Sequence, residues 1–466
     1  MPTLSDAHAL LQLLDLTKQS IHQIIAEWAK VSKPGDAREN GDELVSRELF
    51  EAQRTLIAAT GKLVELVSSP SDRLLEVSSQ YNESRCLHIA ATLRIPDLLA
   101  KSQPQEGVTI EELATIVGVE KKKLGRIMRC LCSIHIFQEI RDGVFANNTI
   151  SASLVDNDPL RAYIVMFASE ALPQSLLDPD LGPLYSVNET AWQRAIGTTK
   201  ARWTWLEEEV EQPPPPPTGS SGYSGPFGPD LAHPTTFPPR RRSELEIFGL
   251  AMLGGGRVFG RAHLFDYPWG ALGPDSATVV DVGGGVGGFC LQLSHLYSHL
   301  RFVIQDRSPV LSQAEHEVWP QENPDALARG SVQFIVHDFF DPNPVIGADV
   351  YWLRYILHDW SDDYCVRILT NIKSAMRSHS RLLICEQVMY TTAETEREGT
   401  APSPLPANYG YWTRYSHQRD ITMMSIINGI ERTPAEFAGL IERAGLRLRK
   451  IWDCRSQVSL VECILP

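Results

Sequence analysis

The sequence predicts an α/β fold: a doubly wound sheet in the C-terminal half, preceded by a helical arm and a small helix-and-wing domain. Three observations carry this. Val279-Val280-Asp281-Val282 runs straight into Gly283-Gly284-Gly285-Val286-Gly287-Gly288 and an apolar helix start, Phe289 to Leu293. From 278 onward, apolar runs of strand length alternate with helical periodicity, the order of a parallel sheet covered by helices, whose ligands lie at the strands' carboxyl ends. Before that, residues 4–67 and 83–150 read as helices closed by one short hairpin.

Composition bounds the function. A chain of 466 residues buries two cores with ease. A formal charge of −14 argues against a surface for polyanions, so no nucleic-acid partner is expected. There is no apolar run long enough to span a bilayer, and Met1-Pro2-Thr3-Leu4-Ser5-Asp6 lacks the basic start of a signal peptide. The expectation is a cytoplasmic protein with no membrane partner. The eight cysteines form no C-x-x-C pair and mostly sit in apolar runs, as reduced core thiols do. The thirteen histidines show no zinc spacing, and no metal is expected.

Along the arm, Leu10, Leu14, Ile21, Ile24, Ile25 and Trp28 recur at helical spacing. After a break at Lys33-Pro34-Gly35-Asp36, so do Leu49, Phe50, Leu56, Leu63 and Val67. Each stripe needs a partner surface, either within its own chain or on a second copy.

Glu83 to Ala100 reads as one helix, Thr109 to Ala114 opens a second with a capping acid, and Lys121 to Phe137 forms a third. Gln138 to Ala146 then reads as two short strands around Asp142-Gly143. This is a winged-helix order. Lys121, Lys122, Lys123 and Arg126 are its candidate phosphate contacts, but they crowd one end of a helix that is otherwise apolar, which argues against DNA. Five prolines at 213–217 and Pro238-Pro239-Arg240-Arg241-Arg242 bracket a surface insertion at 212–242. Helix resumes from Ser243 to Leu264, interrupted by Gly254-Gly255-Gly256.

In the sheet region the glycine turn implies close approach of backbone to a nucleotide-like ligand. Gly283, Gly285 and Gly288 satisfy G-x-G-x-x-G, which keeps a dinucleotide in play. Asp281 favours a different ligand, because a carboxylate there repels a pyrophosphate and welcomes the ammonium of S-adenosylmethionine. Asp306 ends the next strand, where an acid accepts both ribose hydroxyls. Asp338 and Phe339 follow a further strand, suited to an adenine's amine and ring face. Asp349 to Arg354 is the fourth strand, leading into Tyr355-Ile356-Leu357-His358-Asp359-Trp360-Ser361. His358 there can take a proton as a methyl group arrives. Glu386, ending a strand, and Glu431 are candidates to fix its tautomer. His358, Asp359, Asp362 and Asp363 form an alternative metal set, although Asp362 and Asp363 suit a helix N-terminus.

These residues resemble the caffeic-acid-type natural-product O-methyltransferases of plants and fungi, over nearly the whole chain apart from the insertion. Asp281-Val282-Gly283-Gly284-Gly285 resembles the family's cofactor loop, His358-Asp359-Trp360-Ser361 its catalytic signature, and Glu431-Arg432-Thr433 its C-terminal motif. The resemblance implies a Rossmann-like methyltransferase sheet with S-adenosyl-L-methionine as cofactor. It implies His358 as general base flanked by Glu386 and Glu431. Cofactor contacts fall at Asp281, Gly283, Gly285, Asp306, Asp338, Phe339 and Arg354, the last where lysine is common, and Met423, Met424 and Asn428 lie near the acceptor. The winged-helix domain serves dimerisation, so a homodimer and a small hydroxyl-bearing, aromatic or polyketide-like acceptor are the expected partners. The expected parts are an arm at 1–80, the winged-helix domain at 81–165, linking helices with the insertion at 166–248 and the cofactor-binding domain at 249–466. Asp306-Arg307-Ser308-Pro309 departs from the family in lacking a Leu-Pro after the ribose acid. An NAD-dependent oxidoreductase and a winged-helix regulator with an inactive core stand as alternatives.

Overall fold

A computed structural model describes residues 4–31, 44–103, 106–119, 121–166, 184–211, 239–242, 261–272, 277–390, 400–405 and 407–466, with isolated positions between them. The break at Lys33 to Asp36, residues 212–238 of the insertion, Gly254 to Gly256, and the side chains of Lys122, Lys123 and Arg126 lie outside the described residues. The chain divides into two compact units. One comprises Met1–Val67, Asp178–Thr190 and Phe259–Pro466, the other Ser68–Leu177 and Ala191–Val258. The arm thus shares a unit with the C-terminal half rather than with the small domain that follows it in sequence.

Helices α1 (Leu4–Val31) and α2 (Arg47–Val67) form an antiparallel hairpin. Ile24 clusters with Leu49 and Ala52, while Leu13, half the helix away, clusters with Ala58 and Ala59. The hairpin packs on Leu405, Tyr409 and Trp412 of its own unit. Phe50 meets Trp412 edge-on at 5.5 Å, and the Arg54 guanidinium lies 4.0 Å over the Tyr409 ring. Gly61 permits the approach, since a Cβ there would collide with Tyr411.

In the second unit, α3 (Tyr81–Thr92) ends sooner than the sequence suggests. Arg94 turns left-handed (φ 53°) and a separate short helix, Ile95–Leu99, follows, with Pro96 in its first turn. Proline cannot continue a helix but starts one readily, which explains the break. Strand β1 (Val108–Thr109) leads into α4 (Ile110–Val117), where Thr109 and Glu112 cap each other's backbone as anticipated. Helix α5 (Lys121–Ser133) precedes β2 (Phe137–Arg141) and β3 (Val144–Asn147), which turn at Gly143 (φ 69°). With β1 they make a three-stranded wing ordered β1-β3-β2. Lys121 is paired with Glu111 at 2.7 Å. Helix α6 (Asp158–Met166) follows, and an antiparallel pair, β4 (Glu209–Glu211) and β5 (Pro239–Arg241), holds the two ends of the insertion together.

The seven-stranded sheet is ordered β11-β12-β10-β9-β6-β7-β8. Its strands are β6 (Thr278–Val282), β7 (Arg301–Asp306), β8 (Val332–Val336), β9 (Val350–Arg354), β10 (Arg381–Glu386), β11 (Arg447–Asp453) and β12 (Ser459–Ile464). Strands β8, β7, β6, β9 and β10 are parallel, and β12 and β11 close the far edge antiparallel. Alternate residues feed two cores, as a strand buried on both faces requires. Val279 and Trp352 join Trp269 and Phe289 on one side; Val280 and Leu353 join Ile368 and Phe437 on the other. Helices α7 (Gly288–Leu296), α8 (Asp362–Ala375), α9 (Arg414–Ile427) and α10 (Pro434–Arg443) complete the part that bears the site. The chain passes from β6 to β7 on one side and later returns to β9 on the other, so the switch point of this sheet, where ligands bind, is the carboxyl end of β6. No helix among the described residues is long and apolar enough to cross a membrane.

Candidate active site

The turn after β6 is built for backbone access. Gly283, Gly285 and Gly287 take φ of 69°, 60° and 79°, a region costly for other residues. The N–H groups of Gly283 and Gly284 donate to Gln305 O at 2.8 and 3.1 Å. A Cβ at Gly283 would stand 2.7 Å from Ile356 and 3.7 Å from Phe339, so this glycine lets the chain after β9 pass close by. A Cβ at Gly285 would meet nothing within 4 Å, so there is space beside this glycine for a ligand. No side chain caps the start of α7, which leaves its first N–H groups to a ligand or water.

Asp306 ties the turn to β7, accepting from Gly285 N at 2.8 Å and Arg307 N at 2.7 Å. Asp338 is exposed and accepts from Phe340 N at 2.9 Å, while the half-buried Phe339 ring meets Phe340 and Trp360 edge-on. Arg354 ends β9 with its Nε buried and without a hydrogen-bond partner, the guanidinium 5.3 Å from the Tyr355 ring centre. Free space beside Gly285, an uncapped helix start, acids ending β7 and following β8, and an orphaned buried donor together fit a polar nucleoside ligand. Asp281 does not stand where the sequence reading put it. Its carboxylate is buried beneath Gly284 and accepts from Cys290 Sγ at 3.4 Å, and burial raises its pKa to about 7. It braces the turn from inside instead of facing an ammonium.

The histidine sits on a tightly held loop. Tyr355 adopts φ 54°, unusual for an aromatic residue, and swings the chain into a 3₁₀ turn, Leu357–Asp359. Glu386 Oε1 accepts from the backbone N–H groups of Ile356, Leu357 and His358 at 3.2, 2.6 and 3.2 Å. Glu386 was expected beside the imidazole. It captures the loop's backbone instead, because the start of a helical turn presents free N–H groups at that strand end. Burial pushes its pKa up to about 7.

Arg432, unassigned in the sequence reading, holds the other side. Fully buried, it donates to Leu357 O at 2.8 Å, Trp360 O at 2.7 Å and Asp362 Oδ1 at 3.0 Å. Ile430 N donates to His358 O at 2.8 Å, and a Cβ at Gly429 would collide with that carbonyl.

The imidazole itself is buried. His358 Nδ1 donates to Glu431 Oε1 at 2.8 Å, as expected, and Nε2 lies 3.3 Å from Asp359 Oδ1. The Tyr355 ring stacks on it at 5.4 Å. Arg419 Nε reaches the same Glu431 oxygen at 3.3 Å, its guanidinium 4.2 Å over Tyr355. Burial disfavours a charged ring, but the Glu431 and Asp359 carboxylates outweigh it and raise the pKa to about 8. Burial likewise opposes ionisation of Glu431, yet His358, Arg419 and Arg432 hold its pKa below the usual value. Asp362 turns to Arg432 and Asp363 to Arg443, so the alternative set of four does not converge on a metal.

Of the residues expected near an acceptor, Met423 is buried under Gly429 and Met424 is half-buried. Asn428 caps the end of α9 with φ 53° and donates to Ser186 O at 2.7 Å and Glu189 O at 3.2 Å, a structural task that occupies its amide.

Comparison with known proteins places this geometry. Residues 275–447 match the model of the O-methyltransferase domain, and residues 75–157 that of the O-methyltransferase dimerisation domain. The chain is 57% identical to O-methyltransferase tpcA of Aspergillus fumigatus, over 100% of this chain and 98% of that protein. The chain belongs to the O-methyltransferase family. O-methyltransferase gedA of Aspergillus terreus is 56% identical to it, over 99% of this chain and 97% of that protein. Among solved structures, CalO1, a methyltransferase in calicheamicin biosynthesis with S-adenosylhomocysteine bound, superposes with a TM-score of 0.60 at 25% identity, covering 85% of this chain and 98% of that one. This O-methyltransferase therefore uses S-adenosylmethionine on the Rossmann-like sheet. Neither the NAD-dependent oxidoreductase nor the inactive regulator is supported.

Proposed function

We propose that this O-methyltransferase methylates a hydroxyl of a small aromatic or polyketide-like metabolite, with His358 as general base and Glu431 as the group that orients and charges it. The observation that carries this reading is the 2.8 Å bond from buried His358 Nδ1 to Glu431, beside the glycine turn at the sheet's switch point. S-adenosylmethionine supplies, when bound, an activated methyl group. Gly283 and Gly285, Asp306, Asp338 with Phe339, and Arg354 would hold it.

His358 Nε2 then takes the acceptor's hydroxyl proton, and Glu431 offsets the charge left on the ring. A histidine pKa raised to about 8 lies nearer that of a phenol, which makes the ring a better-matched base. Glu386 and Arg432 act on the loop's backbone and keep the imidazole in place. The match at 75–157 supports a homodimer.

The test replaces His358 by Ala. S-adenosylhomocysteine should bind calorimetrically as in the wild type. Methyl transfer to a panel of phenols, hydroxynaphthoates and hydroxyanthraquinones should fall about 10²–10⁴-fold, the worth of a positioned base. Undiminished transfer would remove His358 from the role.

A further inference from the structure

Arg419 and Asp420, neighbours on α9, hold Glu431 by its side chain and by its backbone. Arg419 Nε lies 3.3 Å from the Glu431 oxygen that also takes the His358 bond, and Asp420 Oδ1 accepts from Glu431 N at 2.9 Å. The Arg419 guanidinium also lies 4.2 Å over the Tyr355 ring, and that ring stacks on His358. Imidazole, carboxylate, guanidinium and phenol ring therefore close a circuit. Arg419 is only 9% exposed, and the Glu431 side chain is fully buried. The local charges explain why a cation stands here. A ring able to take a proton must first be neutral, which leaves the Glu431 carboxylate buried without an imidazolium beside it, a costly state unless another cation is near. Further acids surround the pair: Asp359 on the histidine loop, Asp420 on α9, and Glu386 at the end of β10. Arg432 bonds Leu357 O, Trp360 O and Asp362, and Arg354 lies 5.3 Å from the centre of the Tyr355 ring. Among the described residues, Arg419 is the guanidinium in contact with the Glu431 carboxylate.

We infer that Arg419 is a positioning residue of the methyl-transfer reaction: it keeps Glu431 a carboxylate while His358 is neutral, and so sets the pH at which the ring becomes free to take the acceptor's proton. This rests on the reading of His358 as the base. The sense of the effect follows from the geometry. His358 and Glu431 share one proton across their 2.8 Å bond, and a neighbouring cation helps that proton leave, whichever of the two carries it. Arg419 thus opposes Glu431 and Asp359, which raise the pKa of the ring, and it helps hold that of Glu431 below the usual value. Tyr355 keeps the guanidinium in place, since a planar cation lies flat on an aromatic face where a lysine ammonium does not.

The experiment titrates the His358 ring itself by NMR of the histidine-labelled full-length protein, its Cε1–H signal identified by its absence from His358→Ala. The kcat/KM for methyl transfer to the phenol panel is measured over the same pH range. In Arg419→Met both midpoints should rise by about one pH unit or more, so that transfer falls about tenfold or more at neutral pH and much less in alkali. Arg419→Lys keeps the charge without the planar fork and should bring both midpoints most of the way back. Lost packing alone would lower the rate by one factor at every pH and leave both midpoints in place, and that result would overturn the inference. Calorimetric binding of S-adenosylhomocysteine shows that each variant is folded; should Arg419→Met fail it, Arg419→Gln takes its place with the same expected rise. A ring midpoint that moves beside turnover flat in pH would overturn the reading of His358 as base, and this assignment with it. A ring midpoint that stays beside pH-dependent turnover would overturn the assignment of Arg419 alone.

Discussion

At the scale of single residues, the site depends on buried groups that act through fixed partners. His358 and Glu431 were legible because a histidine and two acids fall at strand or loop ends of an alternating fold. Glu386 was found as a residue but not as a role. Strand ends place a side chain near the site, but whether it meets a ring or a backbone depends on the next turn, which Tyr355 sets with its positive φ. Arg432 escaped because an arginine within a motif reads as surface; only the structure brings Leu357 O, Trp360 O and Asp362 around it. Arg432→Met strands those two carbonyls. The variant should lose about 2 kcal/mol or more of stability in denaturant unfolding, with the histidine loop the first region to exchange its amides.

At the scale of elements, the glycine turn and the histidine loop form one assembly. Gly283 is needed twice, for its φ of 69° and for the passage of Ile356. Gly283→Ala should therefore weaken S-adenosylhomocysteine binding and lower turnover together, because a moved Ile356 drags the loop that carries His358. Calorimetry beside rate measurement checks this, and a binding loss without a rate loss would separate the two elements. The five parallel strands β6 to β10 were readable from their apolar runs, whereas the antiparallel edge strands β11 and β12 were not read from the sequence. The break at Arg94 was not readable either, since an apolar helical pattern continues across Ile95 and Pro96 even though the backbone does not. Asp281 shows the same limit: position before a glycine turn is visible in sequence, but the direction in which its carboxylate points is decided by Cys290 and Gly284.

At the scale of the whole molecule, the sequence fell into an arm, a winged region and a sheet, yet which parts share a compact unit depends on long-range packing such as Leu13 and Ala58 against Tyr409, which no local pattern announces. The chemistry likewise belongs to the folded unit, since Glu431 meets His358 only because the end of α9 is brought back to the loop after β9. The rate of the intact enzyme against pH tests this most directly. The folded His358 pKa is raised, so the ring is protonated below about 8 and becomes a base above it. The kcat/KM for methyl transfer should rise with pH through a single proton loss near 8. In Glu431→Gln the larger of the two raising charges is gone while Asp359 stays, so burial counts for more and the midpoint should move down from the wild-type value, with a lower plateau. A wild-type profile flat from pH 6 to 9, or the same midpoint in both proteins, would contradict a Glu431-charged His358 as the base.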